Sequence, residues 1–274
     1  MLFYVRWASY LCFLNQKLNM LTLLCAFHGR HQKVERVIRC FVNQDYSGEV
    51  ELLLYNNSNV PQILDYEQIM PLLSENKNIK LVNNHLDLQT GQPYTNVGDI
   101  FRDALTFVDK DTEVLSHSDS DDLYLPNHAS EGMRGYRKAV EQGKLAYKPY
   151  YSYYLYGENK AELSHNTMEP SFFINFEFLK EKGYLKTAAS YNQGWETPLN
   201  RENKVLVDRD GIPTLIYDWS KGHNTHKISG LGDAIDNFEA HRQYENNHGD
   251  GILSCAPQSF VEKYYNLALN VTNA

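Results

Sequence analysis

Three aspartates lie within four positions of one another, and their side chains are the ones in this sequence best suited to chemistry. Asp119, Asp121 and Asp122 directly follow a predicted buried strand at 113–116. Carboxylates packed this closely repel one another unless a positive charge lies among them. A divalent cation with oxygen ligands, Mn2+ or Mg2+, satisfies that requirement. The alternative is a solvated acidic turn leading to a helix capped by Asn127, and the position after a buried strand favours the metal site.

The elements that must position this cluster alternate between strand and helix. Continuous apolar runs predict buried strands, and apolar residues at helical spacing predict two helices between them. The strands fall at 21–27, 50–55, 79–82 and 113–116, and the helices at 34–42 and 97–108. This order predicts an α/β fold with a mostly parallel central sheet. Since ligands of such sheets bind beyond the carboxyl ends of the strands, we expect the site at 27–31, 55–58 and 118–122.

The second half of the chain has a mixed pattern. A run with six tyrosines favours a half-buried strand over a sugar-stacking surface. An Asp-Arg-Asp-Gly turn predicts a hairpin. The expected elements are a helix at 127–142, a strand at 147–156, a short helix at 176–182, a hairpin joining 205–207 to 214–217, loop over 218–258 and a closing helix over 261–268.

Composition limits the class of protein. Hydrophobic residues make up 42% of the 274 residues and charged residues 22%, which suits one packed domain. The net charge of -8 disfavours nucleic acid as a partner. Four cysteines without a CxxC pair indicate buried thiols, Cys25 and Cys40 among them, and a reducing compartment. We therefore expect a cytoplasmic protein that is either free or peripheral to the inner face of a membrane.

Residues 1–19 are apolar and aromatic, but Arg6 interrupts them. Their uncharged run is too short to span a bilayer, so we expect no transmembrane segment here. Two interpretations stay open: an extension ahead of the folded domain, or a peripheral helix. On either interpretation the domain begins at Met20.

Three motifs together resemble the family 2 glycosyltransferases with the GT-A fold. They are Ala26-Phe27-His28-Gly29-Arg30 after the first strand, the segment 51–58, and the acidic segment 118–128. The resemblance covers 21–136 well and continues thinly to about 230. It implies one GT-A domain over 20–274, in which 20–125 binds the nucleotide sugar and 126–274 binds the acceptor.

In that family the acidic cluster holds manganese or magnesium on the sugar-nucleotide diphosphate. The resemblance makes Asp121 the direct ligand, and Asp119 a further metal-site residue facing the ribose or metal-bound water. Where the family usually has an aspartate that contacts the base, this sequence has Asn56 and Asn57, whose amides can still pair with a base edge. The candidate nucleotide-sugar-binding residues are Ala26, Phe27, His28, Arg30, Asn56, Asn57, Arg102, Asp119 and Ser120.

Later segments match the family more loosely. Glu196, in Gly194 to Thr197, is the candidate catalytic base, and the alternative is a surface glutamate beside Trp195. A His-rich loop over 219–230 resembles the segment that supplies a histidine metal ligand, for which we favour His226 and then His223.

The implied function is metal-dependent transfer of a hexose, with inversion, from a nucleotide sugar to a hydroxyl group. We expect a UDP-sugar donor and a saccharide or lipid-linked acceptor. Two other classes stay open. One is a catalytically inactive, glycosyltransferase-shaped binding protein, and the other is an enzyme that glycosylates modified bases of DNA, against which the acidic charge counts.

Overall fold

A computed structural model gives the architecture. It describes residues 20–28, 31–61, 77–155, 161–165, 169–182, 199–218 and 252–255. Several predicted features lie outside these ranges: the extension 1–19, Arg30, Glu196, His223, His226 and the closing helix at 261–268. None of the described helices combines the length and the apolar character that a membrane span requires.

The described strands and helices follow the predicted alternation through the first half of the chain. The strands are β1 (Met20–Phe27), β2 (Val50–Asn56), β3 (Lys77–Asn83), β4 (Thr112–His117), β5 (Leu123–Tyr124), β6 (Ala146–Pro149), β7 (Tyr151–Leu155), β8 (Ala161–His165), β9 (Phe173–Asn175), β10 (Val205–Asp208), β11 (Leu215–Asp218) and β12 (Ile252–Cys255). The helices are α1 (His31–Val42), α2 (Val97–Leu105), α3 (His128–Glu141) and α4 (Phe176–Lys182).

Seven of these strands form the central sheet, in the order β10-β6-β9-β4-β1-β2-β3. Within the run β4-β1-β2-β3, each adjacent pair of strands is parallel. Strand β9 is antiparallel to both β4 and β6, and β10 is parallel to β6. The predicted α/β class with a mostly parallel sheet is therefore confirmed, and β1 to β4 end at one edge.

Apolar side chains cover both faces of this sheet. Successive residues of β1 point to opposite faces, so Leu23 joins a cluster with α1 and α3, and Leu24 joins a second cluster with α2 and α4. Both leucines are buried. Burial on both faces explains why the strands are continuous apolar runs and why polar side chains collect at their ends. The predicted burial of Cys25 and Cys40 is also confirmed.

A second sheet joins the acidic segment to the second half of the chain. Five described strands form it, in the order β12-β8-β7-β11-β5. Strand β5 directly follows the acidic cluster and pairs antiparallel with β11, which pairs parallel with β7. The acidic cluster therefore lies where the chain passes from the central sheet to the smaller one.

The predicted hairpin is wrong, because its two strands belong to different sheets. The tight turn itself is present, since Gly211 N donates to Asp208 O at 3.2 Å. Beyond the turn, Thr214 O accepts from Leu125 N at 2.9 Å, which draws the chain towards β5. Gly211 also packs against Tyr147, and a Cβ at Gly211 would lie 2.6 Å from the Tyr147 hydroxyl. The turn is thus a crossing between sheets.

Two further expectations for the second half need correction. The tyrosine-rich run 147–156 forms two strands in different sheets, β6 and β7, which separate at Tyr150 after Pro149. Proline has no N–H to continue a ladder, which suits it to the end of a strand. Part of the expected loop 218–258 is the strand β12, which pairs with β8.

Helix α3 begins without the predicted cap, because the Asn127 side chain makes no capping hydrogen bond. A distant buried amide takes that role. Gln44 Oε1 accepts from Ala129 N at 2.8 Å, in the first turn of α3. Gln44 Nε2 donates to Cys40 O and to Leu125 O, both at 2.9 Å. One side chain therefore ties the end of α1 to the segment that follows the acidic cluster.

We predict that Gln44→Glu lowers the free energy of unfolding by about 3 kcal/mol, because it buries a charge and replaces a donor between two carbonyl oxygens. Chemical denaturation measures this loss. The matched control is Gln142→Glu, at an exposed position just beyond α3, which should change stability by less than about 0.5 kcal/mol. Equal stabilities of the two variants would contradict the role of Gln44.

Candidate active site

The acidic loop, residues 118–122, is held by its main chain. Ser118 N donates to Leu24 O at 2.8 Å, which continues the pairing of β4 with β1. The Tyr124 hydroxyl donates to Asp119 O at 3.3 Å, and the Arg36 guanidinium donates to Asp121 O. Contacts from α1 and β5 therefore fix the backbone that carries the three carboxylates.

The loop is a region of concentrated negative charge. Asp122 is buried, while Asp119 and Asp121 are partly exposed. Burial, followed by the charges of Asp122 and the other two aspartates, raises the pKa of Tyr124 and of Tyr217 well above the ordinary phenol value. Both phenols therefore stay neutral and lie within the field of all three carboxylates.

These aspartates offer the hard oxygen donors that Mn2+ or Mg2+ prefers. Across the described ranges, however, no three His, Cys, Asp or Glu side chains are grouped so that they could hold a metal ion. Asp119 and Asp121 therefore fit a metal as part of its ligand set only. The remaining ligands must come from a bound diphosphate, from water, or from outside the described ranges, where His223 and His226 lie.

A cavity of about 650 Å3 opens at the same edge of the sheet. It lies beyond the ends of β1, β2 and β3 and beside the start of α2. The predicted residues His28 and Asn57 line it. Because β1 lies between β4 and β2, the cavity and the acidic loop are on neighbouring strand ends.

Asn57 lines this cavity and has an unsatisfied polar atom. Its Oδ1 atom is buried and has no hydrogen-bond partner among the described residues. A buried acceptor without a partner costs about 1–3 kcal/mol, so a ligand donor that reaches it gains that energy back. Asn57 is thus suited to bind a ligand through its amide.

Asn56 differs from Asn57, because every donor and acceptor of its amide is hydrogen-bonded within the protein. Its Nδ2 donates to Val60 O at 2.8 Å and to Asn83 Oδ1 at 2.9 Å. Its Oδ1 accepts from Ser58 Oγ at 2.8 Å and from Ser58 N at 3.2 Å. An aspartate at this position would have no N–H to donate, and its carboxylate would face the oxygens of Val60 and Asn83. The asparagine is therefore required by the loop, and the predicted contact of Asn56 with a base has no free amide atom to make it.

Arg102 supports the cavity wall from behind and is absent from its lining. Its guanidinium pairs with Asp87 at 2.9 Å, Asp99 at 2.5 Å and Asp103 at 2.9 Å. The hydrogen bond from Arg102 is the main cause that lowers the pKa of Asp87. These ion pairs commit Arg102 to structure, and its predicted contact with a nucleotide sugar stays a prediction.

The same network extends to the cavity lining at Tyr94. Asp103 Oδ2 accepts from the Tyr94 hydroxyl at 2.8 Å, and the hydroxyls of Tyr94 and Tyr55 are 2.7 Å apart. Asn84 Nδ2 donates to both phenols, at 2.7 Å to Tyr55 and 2.9 Å to Tyr94. The connection from β3 to α2 is therefore a rigid polar wall.

Four predicted residues from the first motif and the acidic loop have defined places. Phe27 is buried in the core, so only its main chain reaches the edge, where Phe27 O accepts from Asn57 N at 3.0 Å. Ala26 lies in β1 and is partly buried, and Ser120 is buried within the acidic loop. His28 is exposed at the cavity mouth.

Sequence reasoning missed the part of the wall that follows β3. His85, Tyr94 and Asn96 all line the cavity and lie between β3 and α2. A signal was present, because the third strand of a parallel sheet also ends at the ligand-binding edge. The stretch 84–96 is polar and turn-rich, which is the composition of a binding loop.

No family model matches the sequence, and no curated protein matches it significantly. Solved structures do match. S. aureus TarS has a TM-score of 0.52 at 12% identity over 93% of this chain, which spans 44% of the TarS chain.

Two further structures match to the same degree. TarS 1–349 in complex with UDP-GlcNAc has a TM-score of 0.52 at 14% identity, over 92% of this chain and 72% of that one. A mannosyltransferase from Pyrobaculum calidifontis, in complex with GDP-Man and Mn2+, has a TM-score of 0.52 at 10% identity. The match covers 90% of this chain and 72% of that one. This chain therefore has the GT-A-like fold.

Proposed function

We propose that this protein is a glycosyltransferase that moves a hexose from a nucleotide sugar, a UDP-sugar, to a hydroxyl of a saccharide or lipid-linked acceptor. One observation carries the proposal: a cavity lined by Asn57, whose amide oxygen has no partner among the described residues, lies beside a loop of three carboxylates at one edge of a GT-A-like sheet. The UDP-GlcNAc complex of TarS and the GDP-Man and Mn2+ complex of the mannosyltransferase support it.

The cavity is proposed to take the base of the nucleotide. Uracil presents an N–H flanked by two carbonyl groups. Asn57 Oδ1 would accept from that N–H, while its Nδ2 would donate to a neighbouring carbonyl. The wall containing Tyr94 would close the other side of the ring. The fit with this amide is our reason for preferring a UDP-sugar.

The acidic loop is proposed to hold Mn2+ or Mg2+ together with the diphosphate. Asp121 would be the direct ligand, and Asp119 would reach the ribose or metal-bound water. His226, or else His223, would add a nitrogen ligand. A divalent cation bound there stabilises the negative charge that develops on the diphosphate as the anomeric C–O bond breaks.

Glu196 is the proposed general base. A carboxylate in that role takes the proton from the acceptor hydroxyl as its oxygen attacks the anomeric carbon. Attack from the face opposite the diphosphate inverts the configuration at that carbon. The acceptor would then bind the half of the chain that follows residue 125.

We predict that the protein binds UDP and that Mn2+ strengthens this binding at least about tenfold, because Asp121 and Asp119 would hold the cation where it offsets the charge of the diphosphate. Isothermal titration calorimetry with and without Mn2+ measures both constants. A screen of donor sugars by mass spectrometry then identifies the sugar. Absence of UDP binding under both conditions would rule out the proposal. Binding without transfer or hydrolysis would favour the inactive binding protein, and a shift of duplex DNA at low salt would favour the DNA-modifying class.

We predict that Asn57→Leu weakens UDP binding about tenfold and leaves the melting temperature unchanged or higher, because it removes an acceptor that lacks a partner in the free protein. The matched control is Asn56→Leu. It should lower the melting temperature, since it removes the four hydrogen bonds that join the Asn56 amide to Ser58, Val60 and Asn83. Calorimetry and thermal denaturation of both variants measure the two effects. Unchanged UDP affinity in Asn57→Leu would show that the base binds elsewhere.

We predict that Asp121→Asn leaves the metal-free fold intact, because it relieves repulsion with Asp119 and Asp122. Metal-dependent UDP binding should fall, and sugar transfer should fall further, since the leaving diphosphate loses its charge partner as charge develops. Asp122→Asn is the comparison and should affect the manganese requirement less. Both variants are assayed over a manganese titration. Wild-type activity of Asp121→Asn at limiting manganese would refute the metal assignment.

A further inference from the structure

We infer that Arg36 is a positioning residue that orders the acidic loop for cation binding. The inference rests on the proposed function. Arg36 lies in α1, and its guanidinium donates to the main-chain carbonyl of Asp121, 85 positions later. Asp121 is the residue proposed as the direct metal ligand, so this bond acts on the backbone that carries that ligand.

The bond matters because, beyond the main-chain bond from Ser118 N to Leu24 O at the start of the loop, the other contacts described within it are long. The Tyr124 hydroxyl reaches Asp119 O at 3.3 Å, and Asp122 N reaches Asp119 O at 3.4 Å. Both lengths are at the far end of the hydrogen-bond range. A charged donor makes hydrogen bonds about twice as strong as neutral ones. Of these contacts, the one from Arg36 should contribute most to holding the loop.

Helix α1, which carries Arg36, is packed firmly against the central sheet. Val34, Val37 and Ile38 are fully or almost fully buried against the central sheet. Gln44, just beyond the helix, binds Leu125 O and Ala129 N on the far side of the acidic loop. The segment from Asp121 to Ala129 is therefore tied to the α1 region at both ends.

Arg36 also puts a permanent positive charge beside the three aspartates. That charge offsets their mutual repulsion before a cation binds, and it opposes the cation by direct repulsion. Because Asp119 and Asp121 are partly exposed, water screens the direct repulsion between Arg36 and a bound cation. Loss of the bond would let the carboxylates move apart and lose the geometry that a metal needs. We therefore expect the positioning effect to be larger than the repulsion.

The test uses Arg36→Met, Arg36→Lys and the control Arg39→Met. Arg39 lies in the same helix and pairs with the exposed Glu35 at 2.6 Å, away from the acidic loop. The first readout is hydrogen exchange of the amides from Ser118 to Tyr124 in the metal-free protein. Exchange should rise at least tenfold in Arg36→Met, rise less in Arg36→Lys, and stay unchanged in Arg39→Met.

The second readout is the affinity of the UDP-bound protein for Mn2+, measured by calorimetry. Arg36→Met should weaken it about tenfold, Arg36→Lys should recover it to within threefold, and UDP binding without metal should not change. Unchanged exchange, or equal or tighter Mn2+ binding in Arg36→Met, overturns the inference. A wild-type protein that binds no UDP or Mn2+ refutes the proposed function, while the exchange readout still decides whether Arg36 orders the loop. Should Arg36→Met fail to fold, Arg36→Gln takes its place with the same expected exchange.

Discussion

Parallel pairing of β4, β1, β2 and β3 is the constraint on which the site depends. It brings the loops after four strands to one edge, although they are far apart in sequence. The strands are buried on both faces, so their interiors can hold few polar side chains. Polar chemistry is therefore confined to the strand ends, where the cavity and the acidic loop are found. The resemblance of the motifs and the similarity to solved structures both reflect this arrangement.

Hydrogen-bond satisfaction separates two neighbouring residues of the same type. Asn56 uses every donor and acceptor of its amide inside the protein, whereas Asn57 has a buried oxygen without a partner among the described residues. Buried polar groups in folded proteins are nearly always paired, so this oxygen needs a partner such as a water or a ligand. The departure from the family's aspartate also has a structural reason here, since Asn56 must donate to two oxygens. Residue type and spacing could not have shown which of the two asparagines is available.

The sequence was sufficient for the elements of the first half, because burial of a parallel sheet leaves a strong local signal in apolar runs. It failed where long-range pairing decides the outcome. The segment 147–156 belongs to two sheets, and the turn at 208–211 joins strands that never pair with each other. It also failed where a distant side chain replaces a local one, as Gln44 does at the start of α3. The wall after β3 was missed, and the roles of the acidic loop, Asn57, Glu196, His223 and His226 stay predictions.

The protein contains two groups of three aspartates, and their surroundings give them different capacities. Around Arg102, the carboxylates of Asp87, Asp99 and Asp103 receive charged hydrogen bonds from one guanidinium, which supplies the cation that such a group needs. The carboxylates around Arg102 are paired within the protein, and they support the cavity wall. At the acidic loop, Arg36 meets the main-chain carbonyl of Asp121, so its hydrogen bond orders the backbone. Two of the aspartates there are partly exposed at the ligand-binding edge. Repulsion among carboxylates must be offset in both places. The guanidinium of Arg102 does so within the first group and makes that group structural, and a cation from solution is what we propose for the acidic loop.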